Sequence, residues 1–427
     1  MLSKIKNILR WSIFYKVYKD LESKIADAYF WHPSKNLIVI WVTWTDGKST
    51  TCNMIHKILN ENLWKTALFT TVNQKFWDIE QPNIYKMTNV SAWKTQEFLH
   101  QAVEQGCKYC VLEVSSHWID QKRVANIDFD AAVLTNISPE HLDYHKTLLD
   151  YANTKKQLFQ RVVRNKKWLG IWVLNKDNEF GKEWLDELAF KTALAYAIYS
   201  TAQFKAENIQ ESLDWTTFTL KYLNQGYPVK LQLLWAFNIY NALAALATSF
   251  ALKVPLEKAI ASLESLKPVK WRVNQIKDEK RWVTYIIDYA HTPNALKSVL
   301  EFLQKVKWNW RIITVFGAPG MRDQEKRPKM WEIADKYSDI VILTDDDPDK
   351  EDRFKIIQQV QDGIKRKMWD DFWIIPERPQ AVKLAYDIAK KWDIVLIAGK
   401  WHETVQLTNH WKVHYSDIET VKNLIEE

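Results

Sequence analysis

An apolar run at residues 37–42 leads into a loop that ends in Gly47, Lys48, Ser49 and Thr50, and a helical pattern follows directly. A strand, a phosphate-binding loop and a helix in this order place backbone N–H groups and a helix N-terminus around nucleotide phosphates. In such a loop the lysine neutralises the β and γ phosphate oxygens, and a serine or threonine hydroxyl reaches Mg²⁺. The sequence therefore predicts an α/β domain that binds ATP and Mg²⁺.

The same loop contains Trp44, at a place where the backbone must approach a phosphate closely. Glycine permits that approach and also a positive φ, whereas tryptophan suits neither. The chain has 23 Trp and 9 Gly in 427 residues, so glycine makes up about 2% instead of roughly 7%. We hypothesise that many of these tryptophans are glycine in the natural protein, encoded by a stop-type codon that is read as glycine. The candidates lie at expected junctions between strands and helices: Trp41, Trp44, Trp118, Trp235, Trp271, Trp331, Trp392 and Trp401.

Length and composition indicate a globular protein of two or three domains, because single cores stop growing near roughly 250–300 residues. Three cysteines, Cys52, Cys107 and Cys110, are too few for a disulfide framework, and one C-x-x-C pair lacks the second pair of a structural zinc site. The net charge of +7 suits phosphorylated ligands but is too dispersed to predict nucleic-acid binding. No apolar run is long enough to span a membrane. We expect a cytoplasmic monomer.

The first 36 residues form a basic amphipathic helical pattern. Lys4, Lys6, Arg10, Lys16 and Lys19 alternate with apolar residues. We expect the apolar stripe to pack on the first domain, and peripheral contact with an anionic membrane is the alternative. The pattern differs from a signal peptide because the charges recur throughout.

Alternating apolar runs and helical patterns predict an α/β fold with parallel sheets. In the first part, strands are predicted at residues 37–42, 108–114, 131–137 and 171–174, helices at 49–62, 95–104 and 148–163, antiparallel strands within 212–234, and two further helices at 238–252 and 256–266. A second series has strands at 285–287, 312–316, 340–343 and 394–397. The predicted domains are an N-terminal helical segment (1–36), a central ATP-binding domain (37–268) and a C-terminal Rossmann-like α/β domain (269–427).

Further motifs follow the phosphate loop in a fixed order. They are residues 113–118 (Glu-Val-Ser-Ser-His-Trp), 135–145 (Thr-Asn-Ile-Ser-Pro-Glu-His-Leu-Asp-Tyr-His), 236–242 (Ala-Phe-Asn-Ile-Tyr-Asn-Ala), 288–293 (Asp-Tyr-Ala-His-Thr-Pro), 326–328 (Lys-Arg-Pro), 346–348 (Asp-Asp-Pro) and 399–403 (Gly-Lys-Trp-His-Glu). With the loop, they resemble the Mur ligase family, and within it the members that add the third residue of the peptidoglycan stem peptide. Each family glycine that is missing from these motifs is replaced by tryptophan.

The resemblance implies an ATP-dependent ligase that transfers the γ-phosphoryl group to a carboxylate of a UDP-MurNAc-dipeptide or a related acceptor. The resulting acyl phosphate is attacked by an amine, and positioned cations stabilise the charge on the phosphoryl oxygens. Lys48, Glu113, His141 and Lys155 are the catalytic residues that the family pattern implies. Ser49, Glu113 and His141 would bind Mg²⁺, and Lys155 matches the lysine that the family carbamylates as a further metal ligand. Taken alone, Glu113 is equally well a strand-end cap and His141 a core histidine.

The family pattern also implies binding residues. Those for the nucleotide are Thr45, Asp46, Gly47, Lys48, Ser49, Thr50, Asn136, Asn238, Asn241, Arg272, Asp288 and His291, and those for the acceptor are Thr88, Ser115 and Ser116. From the residues alone, the asparagines at 238 and 241 are also compatible with helix caps.

Arg322, Asp346, Asp347, Gly399 and Glu403 would surround the incoming amino acid, with the arginine binding its carboxylate in a bidentate manner. Members that use meso-diaminopimelate have Asn and Arg where this chain has Asp347 and Asp349. Two acids in place of a neutral group and a cation would repel a second carboxylate. We therefore expect an amino acid like L-lysine rather than meso-diaminopimelate.

Two departures from the family pattern leave the acceptor open. Typical members have a separate N-terminal domain that binds the uridine diphosphate, whereas only about 36 residues precede the first strand here, and the family's Thr-Thr-Pro reads Thr88-Asn89-Val90. The alternatives are a polyglutamate- or folate-type ligase of the same fold and a non-catalytic nucleotide-binding subunit.

Overall fold

The computed structural model describes residues 13–43, 47–83, 90–137, 142–164, 170–187, 192–233, 235–266, 273–288, 290–321, 324–361, 371–400, 404–408 and 411–427. The chain divides into two compact units, Met1–Leu266 and Lys267–Glu427. The domain limits drawn from the sequence stay a prediction.

The first unit is built on one large sheet. Its elements are α1 (Ile13–Tyr29), β1 (Ile38–Thr43), α2 (Lys48–Asn62), β2 (Thr66–Phe69), β3 (Asn73–Phe76), β4 (Ile79–Pro82), α3 (Ala92–Glu104), β5 (Tyr109–Glu113), α4 (Ser116–Asp120), β6 (Ala131–Leu134), α5 (Leu142–His145), α6 (Leu148–Arg164), β7 (Ile171–Asn175), α7 (Glu179–Glu187), β8 (Thr192–Ala197), β9 (Phe204–Glu211), β10 (Thr216–Tyr222), β11 (Gln225–Leu231), α8 (Ala236–Ala251) and α9 (Leu256–Glu264). In the described residues the strand order is β11-β10-β9-β8-β7-β6-β1-β5-β2-β3-β4.

The middle of this sheet is parallel, and its ends are antiparallel. Strands β8, β7, β6, β1, β5 and β2 run in parallel, and β9-β10-β11 and β2-β3-β4 are antiparallel. Helices cover both faces of a parallel sheet, so its strands are continuous apolar runs. In β1, for example, residues 39–43 are all buried. Because β1 lies between β5 and β6, the chain after Thr43, Glu113 and Leu134 leaves the sheet at one edge.

The second unit is a smaller α/β sheet. Its elements are β12 (Val273–Asp278), β13 (Val283–Asp288), α10 (Pro293–Val306), β14 (Ile312–Phe316), α11 (Lys326–Tyr337), β15 (Ile340–Leu343), α12 (Arg353–Gln361), β16 (Phe372–Ile374), α13 (Arg378–Ile388), β17 (Ile394–Ala398), β18 (Val405–Thr408), β19 (Trp411–His414) and α14 (Asp417–Glu426). The strand order is β12-β13-β17-β14-β15-β16, parallel except for β12, and β18 and β19 form a separate hairpin.

The predicted fold class, α/β with a parallel sheet in each half, is confirmed. The predicted β-strand at residues 131–137 is too long, because β6 ends at Leu134. The sequence did not reveal β2, β3 and β4, which are four residues each. Both thiols of the C-x-x-C pair are free and buried, and burial raises the pKa of Cys107 and of Cys110, which disfavours the thiolate form.

Helix α1 packs on the first unit. Ser23 and Ala26 are buried, the Asn126 side-chain amide donates to Ser23 Oγ at 3.1 Å, and the Tyr29 ring lies 4.8 Å from the Trp93 ring. Within the described residues, no helix has the length and apolar character needed to cross a membrane.

The backbone supports the glycine hypothesis at some tryptophans and not at others. Among the described residues, thirteen non-glycine residues have positive φ, and five of them are Trp31, Trp77, Trp235, Trp282 and Trp392. A bulky side chain in this conformation is an outlier.

Trp41, Trp118 and Trp331 were expected at junctions between strands and helices. That expectation was wrong, because they lie inside β1, α4 and α11. They are buried there, and their indole Nε1 atoms have no hydrogen-bond partner among the described residues. Trp44, Trp271 and Trp401 lie outside the described residues.

Candidate active site

The phosphate loop contacts helix α8 through Gly47. This residue has φ 88°, and a Cβ added to it would lie 2.8 Å from Asn241 Oδ1. The Asn241 amide in turn donates to Asn238 Oδ1 at 2.9 Å. The structure therefore brings together three predicted nucleotide-binding residues, and only glycine fits at position 47.

Glu113 ends strand β5 beside the start of α2. Its side chain is 1% exposed. Ser49 Oγ donates to Glu113 Oε2 at 2.8 Å, Thr71 N donates to the same oxygen at 3.0 Å, and Thr71 Oγ1 donates to Oε1 at 2.8 Å. These donors are neutral, so they orient the carboxylate, and no ion pair within the described residues compensates its charge.

Ser49 and Glu113 are a suitable start for a Mg²⁺ site, because Mg²⁺ prefers oxygen ligands and is usually bound by one or two carboxylates. The predicted ligand His141 lies outside the described residues, so its position as a Mg²⁺ ligand stays a prediction. The described residues contain no group of three or more His, Cys, Asp or Glu side chains placed to hold a metal ion.

Lys155 lies within α6 and is completely buried. Its Nζ donates to the Tyr151 hydroxyl at 2.7 Å and lies 4.0 Å from the centre of that ring. The two residues are one helical turn apart, so their contact is local to α6. The amine is thereby held at a defined position.

The predicted acceptor residues Ser115 and Ser116 begin helix α4, and they differ in their contacts. Ser116 Oγ lies 2.8 Å from His145 Nε2. Ser115 Oγ is buried and has no hydrogen-bond partner among the described residues. Because buried hydroxyls are normally hydrogen-bonded, Ser115 is suited to receive a ligand.

In the second unit, acidic side chains follow strand β15 and face the end of β17. Burial raises the pKa of Asp346, whose Oδ2 would lie 2.9 Å from a Cβ at Gly399. Lys400 Nζ donates to Asp347 Oδ1 at 2.6 Å. Gly399 has φ 116°. The structure thus brings Asp346, Asp347 and Gly399 together, as predicted.

The contact with Lys400 changes the charge argument for the amino-acid pocket. The sequence prediction counted Asp347 and Asp349 as two uncompensated acids, but the first is paired with a buried ammonium. Within the described chain, Asp349 has no ion pair. The argument therefore rests on one acid instead of two.

The remaining predicted residues are distributed as follows. Asp288 ends β13, where its carboxylate accepts from Ala290 N at 2.8 Å, and the carbonyl of His291 accepts from Lys326 Nζ at 3.1 Å. Lys48 and Thr50 are in the first turn of α2, and Asn136 follows β6. Thr45, Asp46, Thr88, His141, Arg272, Arg322 and Glu403 lie outside the described residues.

Sequence reasoning missed Thr71, Tyr151 and Arg378. Thr71 follows the short strand β2, which the sequence pattern did not reveal. Tyr151 precedes Lys155 by four residues, a spacing that predicts contact on a helix. Arg378 is buried, and it binds Asp417 through two nitrogens at 2.9 and 2.8 Å and donates to the Ala398 carbonyl at 2.9 Å.

The chain matches two family models, the Mur ligase middle domain over residues 42–249 and the Mur ligase, glutamate ligase domain over residues 271–401. It is 34% identical over 409 residues to a UDP-N-acetylmuramoyl-L-alanyl-D-glutamate–2,6-diaminopimelate ligase of Clostridioides difficile (strain 630), covering 95% of this chain and 82% of that protein. It is 34% identical over 391 residues to a UDP-N-acetylmuramyl-tripeptide synthetase of Roseiflexus sp. (strain RS-1), covering 89% and 76%.

A solved structure of a UDP-N-acetylmuramoyl-L-alanyl-D-glutamate–2,6-diaminopimelate ligase is similar in fold. It has a TM-score of 0.70 and 30% identity, and the match covers 95% of this chain and 83% of that one. Both units of the present chain therefore have counterparts in one known architecture.

Proposed function

This chain belongs to the Mur ligase family of ATP-dependent amide-bond-forming ligases, as its motifs predicted, and we propose that it adds an amino acid to a UDP-MurNAc-dipeptide in the cytoplasm. The observation that supports this most directly is the pairing of Ser49 with Glu113 at 2.8 Å, next to the contact of Gly47 with Asn241. A hydroxyl, a carboxylate held by neutral donors and a glycine backbone lie together where the phosphate loop meets α2. This set of groups suits a nucleotide with its divalent cation.

In the proposed reaction, Lys48 and the N–H groups at the start of α2 bind the phosphates, and the γ-phosphoryl group passes to the acceptor carboxylate. Bound Mg²⁺ supplies charge stabilisation at the phosphoryl oxygens. Ser49 and Glu113 would hold it, with His141 and a carbamate on Lys155. Ser115 would donate to the acceptor. The amine then displaces phosphate from the acyl carbon, and an amide forms.

For the amino acid, we propose a cationic side chain such as that of L-lysine. Asp349 would attract a terminal ammonium and repel a second carboxylate. The C. difficile relative is named for 2,6-diaminopimelate, so the two amino acids must be compared directly. We expect faster turnover with L-lysine, and Asp349→Arg should shift the preference toward meso-diaminopimelate. A clear preference of the unaltered chain for meso-diaminopimelate would exclude the L-lysine proposal while leaving ligase activity intact.

The function itself is tested by measuring ADP release and product mass with ATP, Mg²⁺, UDP-MurNAc-dipeptide and each amino acid. A product heavier by one amino-acid residue is the expected result, and Lys48→Ala should abolish it. ATP consumption with no acceptor modified would favour another acceptor, such as a folate or a polyglutamate. A chain that binds ATP and consumes none would be a nucleotide-binding subunit.

A further inference from the structure

Helix α1 directs its larger apolar side chains away from the first unit. Val17, Tyr18, Leu21 and Ile25 are 60%, 59%, 54% and 53% exposed. Residues three or four apart lie on one face of a helix, so these four form a continuous strip, which we call the outer stripe. Scattered single apolar residues on a surface are ordinary, but a strip of four on one helix marks an interaction surface.

The outer stripe is not needed to attach α1 to the protein. The opposite face of the helix carries the small buried residues Ser23 and Ala26, and the side chain of Asn126 hydrogen-bonds to Ser23 Oγ. Small inward residues let the helix lie close to the unit. The large apolar residues therefore point to a second partner on the other side.

Charge distinguishes between possible partners. Residues 1–36 contain seven Lys or Arg and three Asp or Glu, so they contribute +4 of the net charge of +7. Helix α1 itself has three lysines and three acids, so this excess comes from Lys4, Lys6, Arg10 and Lys35. Lys24 lies between Leu21 and Ile25 in sequence, and its side chain is 61% exposed. Its ion pair with Asp20 at 2.7 Å is solvent-exposed and therefore weak.

We propose that the outer stripe and the basic residues of this segment bind the surface of a bilayer containing anionic lipids. The helix would lie in the plane of the interface, with its apolar side chains among the acyl chains and the basic residues that flank it in sequence at the headgroups. A second copy of the chain is a poorer partner, because it would bring two copies of residues 1–36, each of charge +4, together.

The test is co-sedimentation of the full chain with vesicles of phosphatidylcholine and phosphatidylglycerol, compared with vesicles of phosphatidylcholine alone. We expect binding to the anionic vesicles that weakens as salt is added. The double variant Leu21→Gln/Ile25→Gln should bind at least about tenfold more weakly, because each substitution removes apolar area from the interface. Lys4→Gln/Lys6→Gln/Arg10→Gln should reduce binding to anionic vesicles only.

The matched control is Leu149→Gln/Val163→Gln, which makes the same kind of change at two residues of α6 that are 58% and 50% exposed. This variant should bind vesicles like the unaltered chain. Circular dichroism verifies that each variant is folded. Failure of the unaltered chain to bind either kind of vesicle would overturn the proposal, as would a dimer in sedimentation velocity that the α1 double variant abolishes.

Discussion

Glu113 and Asp347 both lie just after or at the end of a buried parallel strand, but their surroundings differ. In the described chain Glu113 accepts hydrogen bonds from the neutral groups of Ser49 and Thr71, whereas Asp347 lies 2.6 Å from the ammonium of Lys400. Neutral donors orient a carboxylate without balancing its negative charge, whereas a buried ammonium balances that charge. The first carboxylate is therefore suited to an added cation, and the second is already paired within the protein.

The comparison shows that position in the fold does not decide the role of a strand-end carboxylate. Parallel sheets place many polar side chains at the carboxyl edge of their strands. Whether such a side chain binds a cation depends on the one or two residues that the next element brings to it, here a hydroxyl from α2 or a lysine that follows β17.

The largest effect is expected from neutralising Glu113, whose described donors carry no charge. Glu113→Gln should lower kcat by about 10²–10³-fold, the size of loss seen when a group that stabilises transition-state charge is removed. Asp347→Asn should lower it by less than about tenfold, since Lys400 compensates that charge in the folded protein. ADP release measured over a range of Mg²⁺ concentrations separates the two. Equal losses in both variants would show that the neighbouring charges do not distinguish these sites.

A second effect follows from another compensated carboxylate of the second unit. Hydrogen bonds from the Arg327 guanidinium lower the pKa of Glu351 to about 2, and the two side chains are 0% and 11% exposed. Because the folded-state pKa lies below the unfolded value, this pair stabilises the protein above about pH 4.5, and the stabilisation is lost as the pH falls toward 2.

Glu351→Gln should therefore lower the free energy of unfolding by about 2–3 kcal/mol at pH 7. The deficit should shrink between about pH 4.5 and 2. Denaturant unfolding at several pH values measures it. Glu377→Gln is the control, because Glu377 pairs with Arg353 at 3.0 Å on the surface and is 52% exposed, and such pairs contribute about 0–1 kcal/mol. A deficit for Glu351→Gln that does not vary with pH would contradict the assignment.

The third effect concerns Lys155, the buried amine of α6. Tyr151→Phe removes the hydroxyl that Lys155 Nζ contacts at 2.7 Å but keeps the ring. A net hydrogen bond contributes about 1 kcal/mol, so activity at low bicarbonate should fall up to about tenfold and recover as bicarbonate is raised. Carbon-13 NMR with labelled bicarbonate would report the carbamate directly.

The control for Tyr151→Phe is Tyr144→Phe, which removes a hydroxyl bonded to Asp120 at 2.7 Å in the same region. It should leave both the bicarbonate dependence and the carbamate signal unchanged. Loss of activity in Tyr151→Phe that bicarbonate does not restore, with an unchanged carbamate signal, would show that the hydroxyl has only a structural role.

The phosphate-loop residues of the first unit are the ones that the sequence pattern located most directly. Gly47, Ser49 and Glu113 belong to long apolar strands and to a loop with a known spacing, so pattern and family resemblance both located them. The contacts of Thr71 with Glu113 and of Lys400 with Asp347 could not be predicted, for a physical reason. Each contact joins elements that are distant in the chain. In addition, β2, the strand that precedes Thr71, has only four residues and gives little pattern in the sequence.

Asp347 and Asp349 in the second unit show the limit of counting charges in a sequence. Both are acids, but folding pairs Asp347 with Lys400, which lies more than fifty residues further along the chain. Periodicity carries no information about such a pairing. The prediction of an L-lysine-like substrate therefore depends on the tertiary contacts of Asp349 more than on the number of acids.

The smallest effect is expected at Trp235, which precedes Asn238 and Asn241 on the nucleotide side. Trp235 has φ 77° and ψ 140° and its carbonyl accepts from Asn238 N at 2.9 Å, so its backbone sets the start of α8. A strained residue of this kind costs on the order of 1–3 kcal/mol, which glycine would relieve in part. Relief of strain should offset part of the roughly 3–5 kcal/mol that a buried ring contributes, so Trp235→Gly should lower the free energy of unfolding by only about 1–2 kcal/mol. Trp172→Gly, at a buried position without positive φ, should lose the full amount. Destabilisation by Trp235→Gly as large as that of an ordinary buried tryptophan, about 3–5 kcal/mol, together with tryptophan in peptides of the native protein, would refute the glycine hypothesis at this position.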